Sequence, residues 1–264
     1  MSIQLGIIGG GIMAEAILSR LLAVGTYTAG QVVVSDPLAA RRQFLEEEYG
    51  VVATDQNQEV VQSPTVLLAV KPQVWMAAVQ DLIVPADRLI ISILAGVTIE
   101  QLEKVFTEQA VIRSMPNTPA TVGEGITAIA KNRRVGDQQY QVAANIFQTV
   151  GKVISVSENQ LDAVTGLSGS GPAYVAIMIE ALADGGVAAG LPRGTAQELA
   201  LQTVLGTAYL LAESDLHPAI CKDRVTSPGG TTIAGIRALE QGGFRSTIIE
   251  AVLAATERSR ELSS

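Results

Sequence analysis

The chain has 264 residues, 48% of them hydrophobic, enough for one large domain or two modest ones with cores of their own. A net charge of −8 without any Lys/Arg-rich run excludes a surface built to neutralise phosphate backbones, so no nucleic-acid partner is expected. One cysteine, Cys221, excludes an internal disulfide framework, and one histidine, His217, argues against a His-cluster metal site, so no metal is expected. A reducing compartment suits that composition. The start Met1-Ser2-Ile3-Gln4 lacks a basic leader, and no apolar run is long enough to span a bilayer, so a cytoplasmic protein with no membrane partner is expected.

Ile3 to Ile8 is a short β-branched run without polar alternation, as expected for a parallel strand buried on both faces. Gly9-Gly10-Gly11-Ile12-Met13-Ala14 follows, and then an apolar helix from about Met13 to Val24 closed by Gly25. Strand, glycine turn and helix form the context in which G-x-G-x-x-A binds a dinucleotide. Gly9 permits the tight turn, Gly11 lets a pyrophosphate approach the backbone, and Ala14 keeps helix and strand close. The alternative is a purely structural turn between strand and helix.

The next strand, Gln31 to Ser35, ends in Ser35-Asp36-Pro37, where the adenosine ribose should lie. Asp36 can accept from a 2′-hydroxyl and so favour NAD, whereas Ser35 with Arg41 or Arg42 can hold the 2′-phosphate of NADP. The balance leans to NADP. Structurally, Asp36 could instead cap a helix beginning at Pro37, with Arg41 and Arg42 on its solvated face. Strands at Val51 to Ala53, Thr65 to Ala69, Leu89 to Ile93 and Ala110 to Arg113 continue the alternation, with a capping box at Thr98-Ile99-Glu100-Gln101. The loops beyond their carboxyl ends place Asn57 and Lys71 as candidate cofactor contacts. They also include the rigid loop Met115-Pro116-Asn117-Thr118-Pro119. Ile126 to Ala130 and Lys152 to Val156 flank a helix from about Asp137 to Val150 and complete the sheet.

From Gln160 onward the pattern is helical, which places a boundary between domains 1–158 and 159–264. Ser168-Gly169-Ser170-Gly171-Pro172 is expected to break the helices, with Pro172 starting one that runs to Ala189. A second runs from about Arg193 to Glu213 and is apolar on nearly all faces, which predicts an interleaved homodimer. His217 is either a catalytic group or a helix-start residue. In Val225-Thr226-Ser227-Pro228-Gly229-Gly230-Thr231-Thr232, the glycines open a helix from Thr231 to Gln241 and can cradle an anion such as a carboxylate. The bland reading is a turn that caps a helix.

These motifs together resemble the pyrroline-5-carboxylate reductase family over essentially the whole length. The resemblance is carried by Ile7 to Ala14, Ala69-Val70-Lys71-Pro72, Ala95-Gly96-Val97-Thr98, Met115 to Pro119, Leu167 to Tyr174 and Val225 to Ile233. It implies an α/β fold: an N-terminal Rossmann-like doubly wound sheet with an all-α C-terminal dimerisation domain, in a family whose dimers often form larger rings. It implies that NAD(P)H reduces C5 of L-1-pyrroline-5-carboxylate to give L-proline, with NADPH expected and NADH the alternative. By the same resemblance Gly9, Gly11, Ile12, Met13, Ser35, Asn57, Ala69, Val70, Lys71, Pro72, Ala95 and Asn117 border the cofactor. Ser227, Gly229, Gly230, Thr231 and Thr232 hold the substrate, and the Thr232 hydroxyl is the catalytic group at the ring nitrogen. Two rival readings are a β-hydroxyacid dehydrogenase, for which Lys222 is the only lysine after Lys152, and a non-catalytic nicotinamide sensor.

Overall fold

The structure is a computed structural model that describes residues 2–263. Its strands are β1 (Leu5–Ile8), β2 (Val32–Ser35), β3 (Val52–Thr54), β4 (Thr65–Leu68), β5 (Leu89–Ser92), β6 (Ala110–Met115), β7 (Gly125–Lys131) and β8 (Gly151–Ser155). They form one sheet of order β3-β2-β1-β4-β5-β6-β7-β8. The pairs from β3 to β6 are parallel, β7 joins β6 antiparallel, and β8 runs parallel to β7. Between them lie α1 (Ile12–Ala23), α2 (Ala39–Tyr49), α3 (Asn57–Val60), α4 (Trp75–Val79), α5 (Ile99–Val105) and α6 (Asp137–Gln148). The chain continues as α7 (Leu161–Val164), α8 (Gly171–Ala188), α9 (Arg193–Ser214), α10 (Pro218–Arg224), α11 (Thr231–Gln241) and α12 (Phe244–Ser263).

The period-2 geometry of a strand divides each apolar run between two layers. Val32, Val34, Leu67 and Ile91 point to one face, where they join Ile17, Leu18 and Leu21 of α1 and Ile146 and Phe147 of α6. Val33, Val66, Leu68 and Ile90 point to the other, with Val60 of α3, Trp75 and Val79 of α4, Leu102 of α5 and Phe106. Burying each such side chain contributes about 2 kcal/mol. This explains why the strands carry no polar alternation. The predicted capping box starts α5: Gln101 N–H donates to the Thr98 hydroxyl at 3.2 Å, and the Gln101 side-chain amide oxygen, Oε1, accepts from Thr98 N–H at 2.9 Å.

Two compact units result, residues 1–170 with 254–264, and residues 171–253. The strands end at Ser155, close to the change in composition near residue 158, while α7 and the last turns of α12 belong with the sheet. Buried Arg113 on β6 pairs with Glu158 at 3.3 Å, and the same carboxylate accepts from Ile99 N–H at 2.6 Å, capping α5.

Two expectations are corrected. The helix after Pro37 begins at Ala39, because the Asp36 carboxylate accepts from Leu38 N–H at 2.9 Å and forms a turn ahead of it. The segment around Ser168 to Gly171 interrupts the helices only at a bend at Ser170, and the residues before it stay helical. Thr165–Gly169 forms a π turn in which Ser170 N–H donates to the Thr165 carbonyl at 2.8 Å, and α8 starts after the bend at Ser170. Glycine there serves packing, since a Cβ at Gly169 would lie 2.8 Å from Met115 Cε. Pro172 sits in the first turn of α8, where a missing N–H costs nothing.

Candidate cofactor and substrate sites

The glycine turn is built by three residues with three different constraints. Gly9 has φ +98°, and a Cβ there would lie 2.8 Å from the Ala69 carbonyl oxygen. Its N–H donates to the Ser35 carbonyl at 2.8 Å, which seats the turn against the ends of β2 and β4. A Cβ at Gly10 would meet Leu45 at 2.8 Å. Gly11 differs: a Cβ there would meet nothing within 4 Å, so its backbone borders open space. Gly11 is also the N-cap of α1, and no side chain caps that helix. The N–H groups of its first turn therefore face a cradle that fits an anion such as a dinucleotide pyrophosphate. Ile12 beside it is 79% exposed, and Met13 is half-buried against the core.

The remaining predicted cofactor residues all follow parallel strands, so the topology collects them at one edge of the sheet. Ser35 ends β2, Asn57 opens α3 after β3, and Ala69-Val70-Lys71-Pro72 follows β4. Ala95 follows β5, and Asn117 follows β6. Lys71 and Ala95 are exposed, while Ala69, Val70 and Pro72 are half-buried. Asn57 donates its amide to the Ala78 carbonyl at 3.0 Å, and Asn117 accepts from Ile126 N–H at 2.9 Å, so both side chains also brace their loops. Ser35 is buried, and its hydroxyl has no partner among the described residues.

Asp36 and the two arginines do more than sequence reasoning assigned them. The Asp36 carboxylate accepts from Gly10 N–H at 3.0 Å on one oxygen and from Leu38 N–H on the other. Arg42 donates to the carbonyls of Asp36 at 2.8 Å and Pro37 at 3.0 Å. Arg41 donates to the Gly10 carbonyl and pairs with Glu15 of α1, and its guanidinium lies 4.9 Å from the centre of the Phe44 ring. Neither arginine simply decorates a solvated face. Glu15 also accepts from the Tyr49 hydroxyl at 2.9 Å. Burial works against its charge, but the hydrogen bonds from Arg41 and Tyr49 and the Arg41 charge outweigh it, holding the carboxyl below its usual value. Burial, then the bond to Glu15 and the nearby carboxylates, push the Tyr49 phenol up to about 12. Sequence reasoning missed Glu15 and Tyr49, because residues 26 and 34 positions apart carry no local signal of contact.

In the helical unit the second glycine loop has a similar design. Gly229 takes φ +66°, and a Cβ there would meet nothing within 4 Å. Gly230 is the N-cap of α11, again without a side-chain cap. Its own N–H donates to the Ser227 carbonyl at 3.1 Å, which leaves Thr231, Thr232 and Ile233 as the amide donors of the first turn. A Cβ on Gly230 would lie 2.3 Å from the Ser227 hydroxyl, which would have to turn away to admit it. Ser227, Gly229 and Thr231 are exposed, and Gly230 and Thr232 are half-buried. His217 is the N-cap of α10, its Nδ1 accepting from Ala219 N–H at 3.2 Å. That contact explains its presence without catalysis.

A parallel sheet whose strand ends gather around an open glycine turn, together with a helical unit carrying a second uncapped helix start, defines the class of two-unit dinucleotide-dependent oxidoreductases. Residues 158–262 match the family described as pyrroline-5-carboxylate reductase dimerisation, and residues 4–96 match NADP oxidoreductase coenzyme F420-dependent. A pyrroline-5-carboxylate reductase of Synechocystis is 61% identical over 99% of both chains. The structure of a pyrroline-5-carboxylate reductase from Coxiella burnetii superposes with TM-score 0.91 at 37% identity, covering 99% of this chain and 98% of that one. That of Plasmodium falciparum pyrroline carboxylate reductase, with NADP bound, gives 0.90 at 31% identity over 99% and 98%. The chain belongs to the pyrroline-5-carboxylate reductase family.

Proposed function

We propose that this protein uses NADPH to reduce L-1-pyrroline-5-carboxylate to L-proline, the last step of proline biosynthesis. The observation that carries the reading is the uncapped start of α11 behind Gly229 and Gly230, an anion cradle with two threonine hydroxyls beside it, in a chain similar to these reductases over its full length.

The open turn at Gly11 and the start of α1 would hold the cofactor pyrophosphate, with Ile12, Met13, Asn57, Ala69, Val70, Lys71, Pro72, Ala95 and Asn117 around it. Ser35, whose hydroxyl is buried without a partner, would lie toward the 2′-phosphate. Engagement of both Asp36 oxygens by backbone amides supports NADPH, since a free carboxylate there would favour a bare ribose. When bound, the cofactor supplies the hydride that adds to C5 of the imine. The amides of Thr231 and Thr232, with Ser227, fix the substrate carboxylate and thereby the face of the ring presented to reduction. The Thr232 hydroxyl bonds the ring nitrogen and keeps its proton in place as C5 is reduced. No histidine is required.

The protein acts as a homodimer. Ile177, Leu199, Leu201, Leu205 and Leu210 stand exposed on α8 and α9, and a groove of about 710 Å³ runs beside α8. An apolar surface of this extent calls for cover by a second copy. We assign it to the cytoplasm, where the unpaired thiol of Cys221 stays reduced. Among the described residues, no helix is long and apolar enough to cross a membrane.

The test is consumption of reduced nicotinamide with pyrroline-5-carboxylate, run with NADPH and with NADH. Turnover with a higher kcat/KM for NADPH is expected. Thr232→Ala should lower kcat by about ten- to a thousandfold, the usual span for one positioned donor or acid. Unchanged kinetics in that variant would remove Thr232 from the mechanism, and a folded dimer with no turnover would reject the reaction.

A further inference from the structure

Gly10 is gripped on both sides by side chains distant in sequence, one on the Gly9–Gly10 peptide and one on the Gly10–Gly11 peptide. Its N–H donates to Asp36 at 3.0 Å, and its carbonyl accepts from Arg41 Nε. Arg41 does not float. Its guanidinium is paired with Glu15 and lies over the Phe44 ring, and the whole side chain is only 24% exposed. Glu15 is held in turn by the Tyr49 hydroxyl at the end of α2. The chain of contacts runs from Tyr49 through Glu15 and Arg41 to one peptide plane, and that plane immediately precedes the open Gly11 backbone at the start of α1.

A peptide plane between two glycines has few steric restraints of its own, because neither Gly10 nor Gly11 carries a Cβ. Rotation about the Gly10 and Gly11 dihedrals would re-aim the amides of Gly11 and Ile12 away from any anion at the helix start. A planar guanidinium suits this task, since it can donate to the carbonyl and to a carboxylate from one rigid fork, which an ammonium cannot. Glu15 sits in the first turn of α1 itself, so the relay also ties α2 to the helix whose start it orients.

We propose that Arg41, braced by Glu15 and Tyr49, is a positioning residue that locks the Gly10–Gly11 peptide, and through it the backbone donors that receive the cofactor pyrophosphate. The inference rests on the dinucleotide reading above. It assigns Arg41 a role common to NADPH and NADH, different from the 2′-phosphate contact that its place after β2 suggests.

The experiment is calorimetric titration of the full-length protein with NADPH and with NADH, for wild type, Arg41→Met, Arg41→Lys and Tyr49→Phe. Arg41→Met should raise Kd by about tenfold for both cofactors alike, the loss of one charge-assisted hydrogen bond at a site that must stay ordered. At saturating cofactor its kcat should stay within about twofold of wild type, since the reacting atoms are untouched. Arg41→Lys should rescue only part of the loss, and Tyr49→Phe should raise Kd by about two- to threefold. In the cofactor-free protein, hydrogen exchange at Gly11 and Ile12 should quicken in Arg41→Met. A loss confined to NADPH would make Arg41 a 2′-phosphate ligand and overturn the proposal. Unchanged Kd for both cofactors in folded Arg41→Met would overturn it too, leaving the dinucleotide reading intact. Failure of the wild-type protein to bind either cofactor would reject that reading and the proposal together.

Discussion

The sheet unit and the helical unit solve the problem of burial in opposite ways. In the first, strands such as β4 and β5 are wholly buried, and α1 and α6 cover one face while α3, α4 and α5 cover the other. In the second, α8 and α9 meet through small residues, Ala183, Ala196 and Ala200, while their large aliphatic side chains point outward. The same kinds of residue therefore do different work. In the sheet they stabilise one chain, and in α8 and α9 they stand exposed in it, because a helix that is apolar all round cannot be covered by a single neighbour.

This contrast can be broken from its strong side to its weak one. Leu201 and Leu205 lie one turn apart on α9, 56% and 44% exposed in the single chain. The double variant Leu201→Asp with Leu205→Asp should abolish the dimer, since each unpaired buried carboxylate costs several kcal/mol and the two-fold axis doubles the number. Sedimentation should show single chains at micromolar concentration. A dimer that survives would mean that another surface holds the copies together.

Within the sheet unit the largest single effect should come from Glu158→Ala. It strands the buried Arg113 guanidinium and uncaps α5, and loss of one partner of a buried pair costs about 3–5 kcal/mol. Urea unfolding would measure it, and replacing Arg113 by Met in the same background should recover part of the loss. A smaller effect follows from the acid and phenol beside the glycine turn. Glu15 titrates below its ordinary value in the folded chain, so its contribution is present above the unfolded pKa and is lost as pH falls through the folded one. Tyr49 is raised to about 12, so its contribution holds below its ordinary value of 10.0 and is lost as pH climbs toward 12. Thermal melts across those two windows should show both losses, and Tyr49→Phe should remove the alkaline contribution of this residue. At the weak end, Val52→Lys on the edge strand β3 should change stability by less than about 0.5 kcal/mol, because Val52 is already 51% exposed and a charge suits a sheet edge. A large loss there would show that exposed apolar residues of the sheet unit are also covered in the assembled protein.

Most of the sheet could be read from sequence because its strands are short and apolar and several, such as β1, β2 and β6, run into a glycine or proline turn, so local pattern and buried position agree. The start of α11 at Thr231 and the capping box at Thr98 were equally readable, since glycine and a Thr-x-x-Gln spacing act over a few residues. The π turn at Thr165–Gly169 was not. Its Ser-Gly-Ser-Gly-Pro composition signals a break by propensity, whereas in the fold Gly169 packs against Met115 and the Thr165 and Ser168 hydroxyls bond the carbonyls four residues back. Arg41 was read as a solvated residue or a phosphate ligand, because nothing near it in sequence tells of Gly10, Glu15 or Tyr49.

The sequence alone determined where glycine must stand, which runs can be buried on both faces, and which of the two halves carries a helix apolar on nearly every face. Those properties depend on single residues and on spacings of two to four, which the chain carries wherever it goes. Only the tertiary structure decided that β7 turns antiparallel to β6, that one carboxylate at Glu158 serves both Arg113 and α5, and that Asp36 and Arg41 converge on a single residue, Gly10. Such contacts join positions tens of residues apart, and their free energy exists only once the sheet has brought them together.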